Sequence, residues 1–114
     1  MEIGPLSGGR FRQVVALVDT GATYTWIPRD ALDELGVRPE EELPFVLADG
    51  REVTYPIGSI RVRLHHRIRT TIAVFGEQGT EPLMGAVTIE EFGLAVDPVG
   101  HRLLRVPGLL KAAS

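Results

Sequence analysis

Val14-Val15-Ala16-Leu17-Val18-Asp19-Thr20-Gly21-Ala22-Thr23 is the most informative segment of this 114-residue chain. Its valine-rich first half favours a β-strand over residues 11–18 that is buried toward its end. The strand runs into Asp19-Thr20-Gly21, a triplet typical of a tight loop because Asp and Gly accept turn conformations. An acidic side chain directly after a buried strand stands where a catalytic carboxylate would be needed.

The sequence that follows alternates short apolar runs with turn residues, which is typical of a β-rich chain. Residues 25–27 predict a short strand. Residues 29–36 predict a short helix, because Pro28 precedes its first turn and a glycine ends it. Asp49-Gly50 is a strong hairpin signal and predicts a long β-hairpin over residues 44–56.

The second half of the chain continues this pattern. Residues 60–64 and 68–74 predict an antiparallel pair joined by a turn at His65-His66-Arg67. Leu83-Met84-Gly85 precedes a helical turn over residues 87–93. Residues 94–96 and 102–106 predict a terminal hairpin. We therefore expect an all-β fold with one or two short helices.

Composition narrows the classes of function. An apolar fraction of 44% and a charged fraction of 24% are typical of one soluble globular domain, expected at residues 1–108, with a loose tail at 109–114. A net charge of −3 gives no global attraction to nucleic acid or an anionic membrane. The chain contains no cysteine, which excludes disulfides and thiol nucleophiles. Because no signal-peptide or membrane-span pattern is present, we expect a cytoplasmic protein.

Three features in a fixed order resemble the retropepsin-like aspartic proteases. They are the apolar strand that enters Asp19-Thr20-Gly21-Ala22, the hairpin tipped by Asp49-Gly50, and Leu83-Met84-Gly85 before a short helix. The resemblance covers nearly the whole chain. It implies a closed retropepsin-like barrel, a homodimer, and an aspartic endopeptidase that acts on extended peptides without a cofactor or a metal.

The resemblance also implies roles for individual residues. The catalytic group is Asp19 with Thr20 and Gly21, in which the threonine hydrogen-bonds across the dimer axis and the glycine leaves room for a partner carboxylate. The substrate-binding residues are expected in the loop and in the flap hairpin: Ala22, Thr23, Ala48, Asp49 and Gly50. Structural support beneath the loop is expected from Leu83, Met84 and Gly85.

Peptide hydrolysis of this kind needs a carboxylate that activates water and a carboxylic acid that protonates the departing nitrogen. Aspartic proteases are the standard example, in which two carboxyls about 3 Å apart hold one proton between them. The chain has a single Asp-Thr-Gly, and Asp97-Pro98-Val99-Gly100 is not a second one. A symmetric homodimer that pairs two Asp19 side chains is therefore the economical solution.

The chain departs from the retroviral members of that family near the expected site. Thr23 and Tyr24 stand where those members have acids, and Ala86 stands where they have arginine. Both partners of an ion pair near the substrate are therefore missing. Because a fold alone does not carry function, the alternative is a catalytically silent dimerisation or peptide-binding module on the same fold.

The two loop motifs also have simpler interpretations. Asp19-Thr20-Gly21 can be a turn in which the carboxylate caps backbone N–H groups. Asp49-Gly50 can be a plain surface hairpin. Trp26 is expected in the core or on a pocket wall.

Two further groups of residues favour structural roles. The arginines after Ile60 alternate along a predicted strand pair without interleaved aromatics, which favours a solvated sheet face or edge protection over a nucleic-acid patch. They are Arg61, Arg63, Arg67 and Arg69. His65, His66 and His101 are expected to be exposed turn residues, because adjacent strand positions point to opposite faces and no acid clusters with them.

Overall fold

A computed structural model describes residues 1–99 and 102–105 of the chain. This part is mostly β with two short helices, which confirms the predicted helix content. The strands are β1 (Glu2–Gly4), β2 (Arg12–Gln13), β3 (Leu17–Val18), β4 (Thr25–Pro28), β5 (Glu41–Val46), β6 (Glu52–Leu64), β7 (Arg67–Gly76), β8 (Leu83–Met84), β9 (Leu94–Asp97) and β10 (Arg102–Arg105). The helices are α1 (Arg29–Glu34) and α2 (Ala86–Glu91). The predicted tail at 109–114 lies outside the described residues, as do residues 106–108 of the predicted domain.

Eight of the described strands form one curled sheet. Its order is β2-β1-β6-β7-β4-β8-β3, and β5 pairs with the first half of β6. The curl follows from the 13-residue length of β6, because its two halves pair with different neighbours along one edge. Within the described part, β2 and β3 are the unjoined ends of this path, so closure of the predicted barrel stays a prediction. β9 and β10 form a separate antiparallel pair.

The predicted strand over residues 11–18 is divided in two, which corrects that prediction. β2 pairs with β1 at one end of the sheet, whereas β3 pairs with β8 at the other. Between them, the Val14 N–H donates to the Met1 carbonyl oxygen (2.8 Å), and Val14 is buried. The segment therefore spans the sheet rather than following one strand, and Val15 and Leu17 are left 85% and 54% exposed.

Both helices end in a left-handed glycine. Gly36 has a φ of 78° and Gly93 a φ of 65°, a conformation that glycine adopts without steric cost. The bonds Gly36 N–H to Asp33 O (3.0 Å) and Val37 N–H to Leu32 O (3.0 Å) close the last turn of α1. After each glycine the chain leaves the helix and returns to the sheet. Leu32 of α1 and Ile89 of α2 are buried in the core.

β8 lies between β3 and β4 and so sets the position of the loop that joins them. β3 runs parallel to β8, with Leu17 opposite Leu83, and β4 runs antiparallel to it, with Trp26 also opposite Leu83. The connection over residues 19–24 must therefore cross the end of β8. This crossing brings Asp19-Thr20-Gly21 next to Leu83-Met84-Gly85, two segments more than sixty residues apart in sequence.

Candidate active site

Asp19 starts the loop at the end of β3 and is half-buried. Its backbone N–H donates to the Met84 carbonyl oxygen (3.0 Å), and its Oδ1 accepts the Gly21 N–H (2.9 Å). A Cβ atom at Gly21 would lie 3.1 Å from that same Oδ1, so a larger residue would crowd the carboxylate. The carboxyl group is therefore oriented by its own loop while the loop is attached to β8.

The rest of the loop is hydrogen-bonded to the start of α2. The Ala86 N–H donates to Ala22 O (2.8 Å), and the Val87 N–H donates to Thr23 O (3.0 Å). A Cβ atom at Gly85 would lie 2.3 Å from the Tyr24 carbonyl oxygen, a distance that no side chain tolerates. Position 85 therefore requires glycine because two backbone segments meet there.

A cleft of about 690 Å³ opens above this loop. One side is the loop with β4 and β8, and the other is the end of β5 and the residues that follow it. The cleft is lined by Asp19, Gly21, Ala22, Thr23, Tyr24, Trp26, Pro44, Phe45, Val46, Leu47, Ala48 and Leu83. Asp19 is the single carboxylate among these residues, and the remaining surface is largely apolar or aromatic. The cleft therefore places one carboxylate among apolar and aromatic side chains.

An aromatic cluster joins the floor of the cleft to the β5–β6 hairpin. The Trp26 ring centroid lies 5.2 Å from that of Phe45 and 4.9 Å from that of Tyr55. Tyr24 contacts Phe45 edge-on, with centroids 6.4 Å apart. Edge-to-face pairs of this kind are worth about 0.5–1.5 kcal/mol each beyond their buried area. The hairpin is therefore packed, at residues close to its tip, against the strand that follows the Asp19 loop.

The hairpin tip is held by local contacts. Asp49 Oδ1 accepts the Arg51 N–H (3.0 Å), and Asp49 Oδ2 accepts the Arg51 Nε–H (2.7 Å). These hydrogen bonds from Arg51 lower the pKa of the Asp49 carboxyl below its ordinary value. Asp49 and Gly50 are both exposed and are not among the residues that line the cleft.

Comparison with known families bears on this arrangement. A family model described as "Aspartyl protease" matches residues 6–87, which is most of the chain and includes the loop, the hairpin and β8. The chain belongs to the aspartyl protease family. The resemblance inferred from the sequence is thus confirmed. A search of curated proteins finds no match.

Among solved structures, this aspartyl protease-family chain is similar to Lpg0085 from Legionella pneumophila subsp. pneumophila str. Philadelphia 1, a protein described as of unknown function (DUF785). The match has a TM-score of 0.55 and 16% identity, and it covers 86% of this chain and 88% of the other. At this identity the likeness shows a shared fold and carries no information on activity.

The structure distributes the site residues expected for an aspartyl protease over three environments. Ala22, Thr23, Ala48 and Leu83 line the cleft with Asp19 and Gly21. Met84 and Gly85 are buried beneath the loop. Thr20 is exposed on the loop, outside the cleft lining, as are Asp49 and Gly50 at the hairpin tip. Their roles in catalysis and binding stay predictions.

Sequence reasoning missed much of the cleft wall. Tyr24, Pro44, Phe45, Val46 and Leu47 line the cleft, and Trp26, expected either in the core or on a pocket wall, also lines it. The available signal was the four aromatic residues placed at the two ends of the predicted hairpin and after the Asp19 loop. Sequence spacing does not show that they meet, because β4 and β5 are not paired with each other.

The basic residues after Ile60 make contacts within the chain. The guanidinium groups of Arg61 and Arg63 lie 4.6 Å and 4.1 Å from the centroid of the Phe11 ring. Arg63 also pairs with Glu2 through two hydrogen bonds of 3.1 Å and 2.7 Å, which lower the pKa of the Glu2 carboxyl. Arg61 and Arg63 therefore share an aromatic partner from a distant loop, whereas Arg67 and Arg69 lie 5.7 Å and 5.9 Å from the centroid of the Phe92 ring.

The chain has three histidines, at positions 65, 66 and 101. His65 and His66 form the β6–β7 turn with φ angles of 51° and 65° and are exposed, as predicted, whereas His101 lies outside the described residues. Within residues 1–99 and 102–105, no group of three or more His, Cys, Asp or Glu side chains is arranged to hold a metal ion. In the same part of the chain, neither helix has the length and apolar character needed to cross a membrane.

Proposed function

We propose that the chain is an aspartic endopeptidase that acts as a homodimer on extended peptides. The observation that carries the proposal is the position of Asp19, which is half-buried, lines a cleft of about 690 Å³ and is oriented by the Gly21 N–H. A hairpin of the length expected for a flap stands on the opposite side of this cleft. Its tip, Ala48 to Gly50, would close over the bound peptide.

A single chain supplies half of the required chemistry. Hydrolysis needs two carboxyls in opposite protonation states, and among the described residues that line the cleft Asp19 is the one carboxylate. The exposed Val15 and Leu17 precede Asp19, and Leu17 lies in β3 at an end of the sheet, so a second copy that covers them would also approach the carboxylate. In the dimer, Thr20 would hydrogen-bond to the opposite loop, and the two half-barrels would close the site.

In this mechanism, the ionised Asp19 removes a proton from water, and the water oxygen adds to the peptide carbonyl carbon. The protonated Asp19 of the partner chain donates its proton to the carbonyl oxygen. Collapse of this tetrahedral adduct breaks the C–N bond, with proton transfer to the nitrogen, and leaves a carboxylic acid and an amine. Only the singly protonated pair is active, so hydrolysis should show a bell-shaped pH dependence on the acid side of neutrality.

Digestion of a peptide library from acid to neutral pH tests the activity. We expect the wild type to cleave a subset of peptides and Asp19→Asn to cleave none, since loss of an acid–base group costs about 10²–10⁴-fold. The exposed Asp33→Asn on α1 is the matched control for the same chemical change elsewhere. Activity in Asp19→Asn above about a hundredth of the wild-type rate would rule out the proposed catalyst.

Subunit mixing tests the shared site. After complete exchange of wild type with an equal amount of Asp19→Asn, a quarter of the dimers hold two wild-type chains, so total activity should fall to about half of its initial value. Mixing with Asp33→Asn should cause no such loss. Unchanged activity in the first mixture, with exchange verified by a mass-labelled chain, would contradict a site built from two chains.

The second candidate is a silent peptide-binding or dimerisation module. The observation in its favour is the aromatic and apolar lining of the cleft, which can hold a peptide without any chemistry at Asp19. Binding with no cleavage over the whole pH range would support this candidate. Cleavage that depends on Asp19 would exclude it.

A further inference from the structure

Three buried threonines meet below the Asp19 loop, and we refer to Thr25, Thr71 and Thr88 as the threonine network. Their exposed fractions are 0%, 3% and 0%. Thr88 Oγ1 lies 2.6 Å from Thr25 Oγ1 and 2.8 Å from Thr71 Oγ1. Thr88 is thus the centre of a chain of hydroxyls that connects α2 to β4 and β7.

The network is joined to the loop through one backbone group. The Gly85 N–H donates to Thr25 Oγ1 (3.1 Å), while the next two N–H groups, of Ala86 and Val87, donate to loop carbonyls. Three successive amides at the start of α2 therefore all bond to residues 22–25. Because the Asp19 N–H also donates to Met84 O, the position of this segment sets the position of the carboxylate.

The close approach at Gly85 restricts how far the start of α2 can move relative to the Asp19 loop. The Gly85 Cα sits directly against the Tyr24 carbonyl, with a hypothetical Cβ 2.3 Å from its oxygen. A shift of α2 toward the loop would create a clash, and a shift away would break the bonds to Ala22 and Thr23. The threonine network adds buried polar contacts that join α2 to both β4 and β7.

We propose that the threonine network is a positioning device for Asp19 and that Thr88 is its central positioning residue. The inference rests on the proposed function, because the geometry that it protects is that of a catalytic carboxylate. A valine at 88 would fill the same volume but leave the Thr25 and Thr71 hydroxyls without their shared partner in a buried site. Thr25 would then lose its fixed orientation toward the Gly85 N–H.

A purely structural role would give different results from a positioning role. In a structural role, removal of the hydroxyl lowers stability as any core change does and leaves turnover of the folded enzyme unchanged. In a positioning role, the loop shifts by a fraction of an ångström in a protein that remains folded. Misplacement of this kind can cost up to about 10²-fold in rate although the mutated residue lies away from the chemistry.

The experiment compares Thr88→Val with Thr88→Ser and Ile89→Val in the full chain. Thr88→Ser keeps the hydroxyl, and Ile89→Val removes one buried methylene from the neighbouring position of α2 without touching the network. We expect kcat to fall about 10- to 100-fold in Thr88→Val with KM within about threefold of wild type. Thr88→Ser should restore most of kcat, and Ile89→Val should retain it.

Amide hydrogen exchange provides a readout that does not require activity. In Thr88→Val, protection of the Gly85, Ala86 and Val87 amides should fall about tenfold or more relative to Ile89→Val, while Val62 in the β6–β7 region should match that control. If Thr88→Val does not fold, Thr71→Val removes one hydroxyl contact instead of two and allows the same comparison.

The outcomes separate the two proposals. Wild-type kcat together with unchanged exchange at Gly85 in Thr88→Val would overturn the positioning role, whatever the loss of stability. A kcat loss that Thr88→Ser does not restore would also overturn it. If the wild type cleaves no peptide, the proposed function fails, and the exchange comparison alone then decides whether the network holds the loop.

Discussion

The Asp19 loop and the hairpin tip contain the same local hydrogen bond in different surroundings. In each, an aspartate Oδ1 accepts the N–H of the residue two positions later: Gly21 at 2.9 Å and Arg51 at 3.0 Å. In the described part of the chain, the other hydrogen bonds of the tip join near neighbours, such as Leu47 N–H to Arg51 O (2.7 Å). The Asp19 loop adds hydrogen bonds to a segment more than sixty residues away.

This difference explains how similar turns can serve opposite purposes. A catalytic carboxylate must stay within a fraction of an ångström of its productive position, and long-range bonds provide that rigidity. A flap must open and close, which is compatible with contacts that move with it. Under the proposed function, the same aspartate-capped turn would be a fixed element in the Asp19 loop and a movable one at the hairpin tip.

The largest expected contrast concerns hydrolysis. Asp19→Asn should reduce kcat/KM by about 10²–10⁴-fold, because the amide cannot act as the ionised member of the pair. Asp49→Asn makes the same chemical change in the same type of turn and should reduce it by no more than about threefold, since the side chain at the tip is exposed and outside the cleft lining. Steady-state kinetics on one cleaved peptide measure both. Comparable losses would mean that the tip takes part in the chemistry.

The variants Gly85→Ala and Gly50→Ala compare how much stability the Asp19 loop region and the hairpin tip each lose when a Cβ atom is added. Gly85→Ala places a Cβ 2.3 Å from a backbone oxygen, and we expect a loss of about 3 kcal/mol or more in the free energy of unfolding. Gly50→Ala has open space around it and a φ of 87°, so its cost should be about 1 kcal/mol of backbone strain. Urea denaturation followed by Trp26 fluorescence reports on both variants. Equal costs would contradict the difference in packing.

The β6–β7 turn offers a reference that lies outside the proposed site. His65 and His66 both have positive φ, in a two-residue turn where Asn-Gly is preferred. His66→Gly should therefore stabilise the protein by about 0.5–1 kcal/mol, and raise Tm by about 4 °C, without changing kcat. Arg67→Gly, one residue later in a strand, is the control and should be destabilising. A lower Tm for His66→Gly would show that the histidine makes a contact that outweighs the strain.

The smallest effect is a local response to acid. Arg51 lowers the pKa of the Asp49 carboxyl in the folded tip. The ionised form of Asp49 is therefore more favoured in the folded protein than in the unfolded chain. Its contribution is present above the ordinary pKa of about 3.8 and is lost as the pH falls through the lower folded value. Exchange of the Arg51 amide should accelerate over that window relative to intrinsic rates, while the Ala86 and Val87 amides, bonded to carbonyls, should not respond. In Asp49→Asn the response at Arg51 should disappear.

Much of the architecture could be read from local patterns. Asp49-Gly50 and the alternation over residues 60–74 predicted the two hairpins, because turn type and side-chain period are properties of neighbouring residues. The glycines at 36 and 93 predicted the helix ends for the same reason. The division of residues 11–18 into two strands was not predictable, since no turn residue stands between Arg12-Gln13 and Leu17-Val18 and only their different partners separate them.

In the candidate site, too, some features follow from the sequence and others only from the tertiary structure. The sequence by itself determined the family and the single Asp-Thr-Gly, because these depend on residue identity. Under the proposed function, the stoichiometry of the reaction then requires a second carboxylate. Only the tertiary structure decided that Trp26 and Phe45 share a cleft wall and that Thr25, Thr71 and Thr88 form one network. The network's members lie 17 and 63 residues from Thr88, on strands where threonine is an ordinary choice. A buried hydroxyl acquires its role only from the partner that folding brings within hydrogen-bonding distance, and no local pattern encodes that partner.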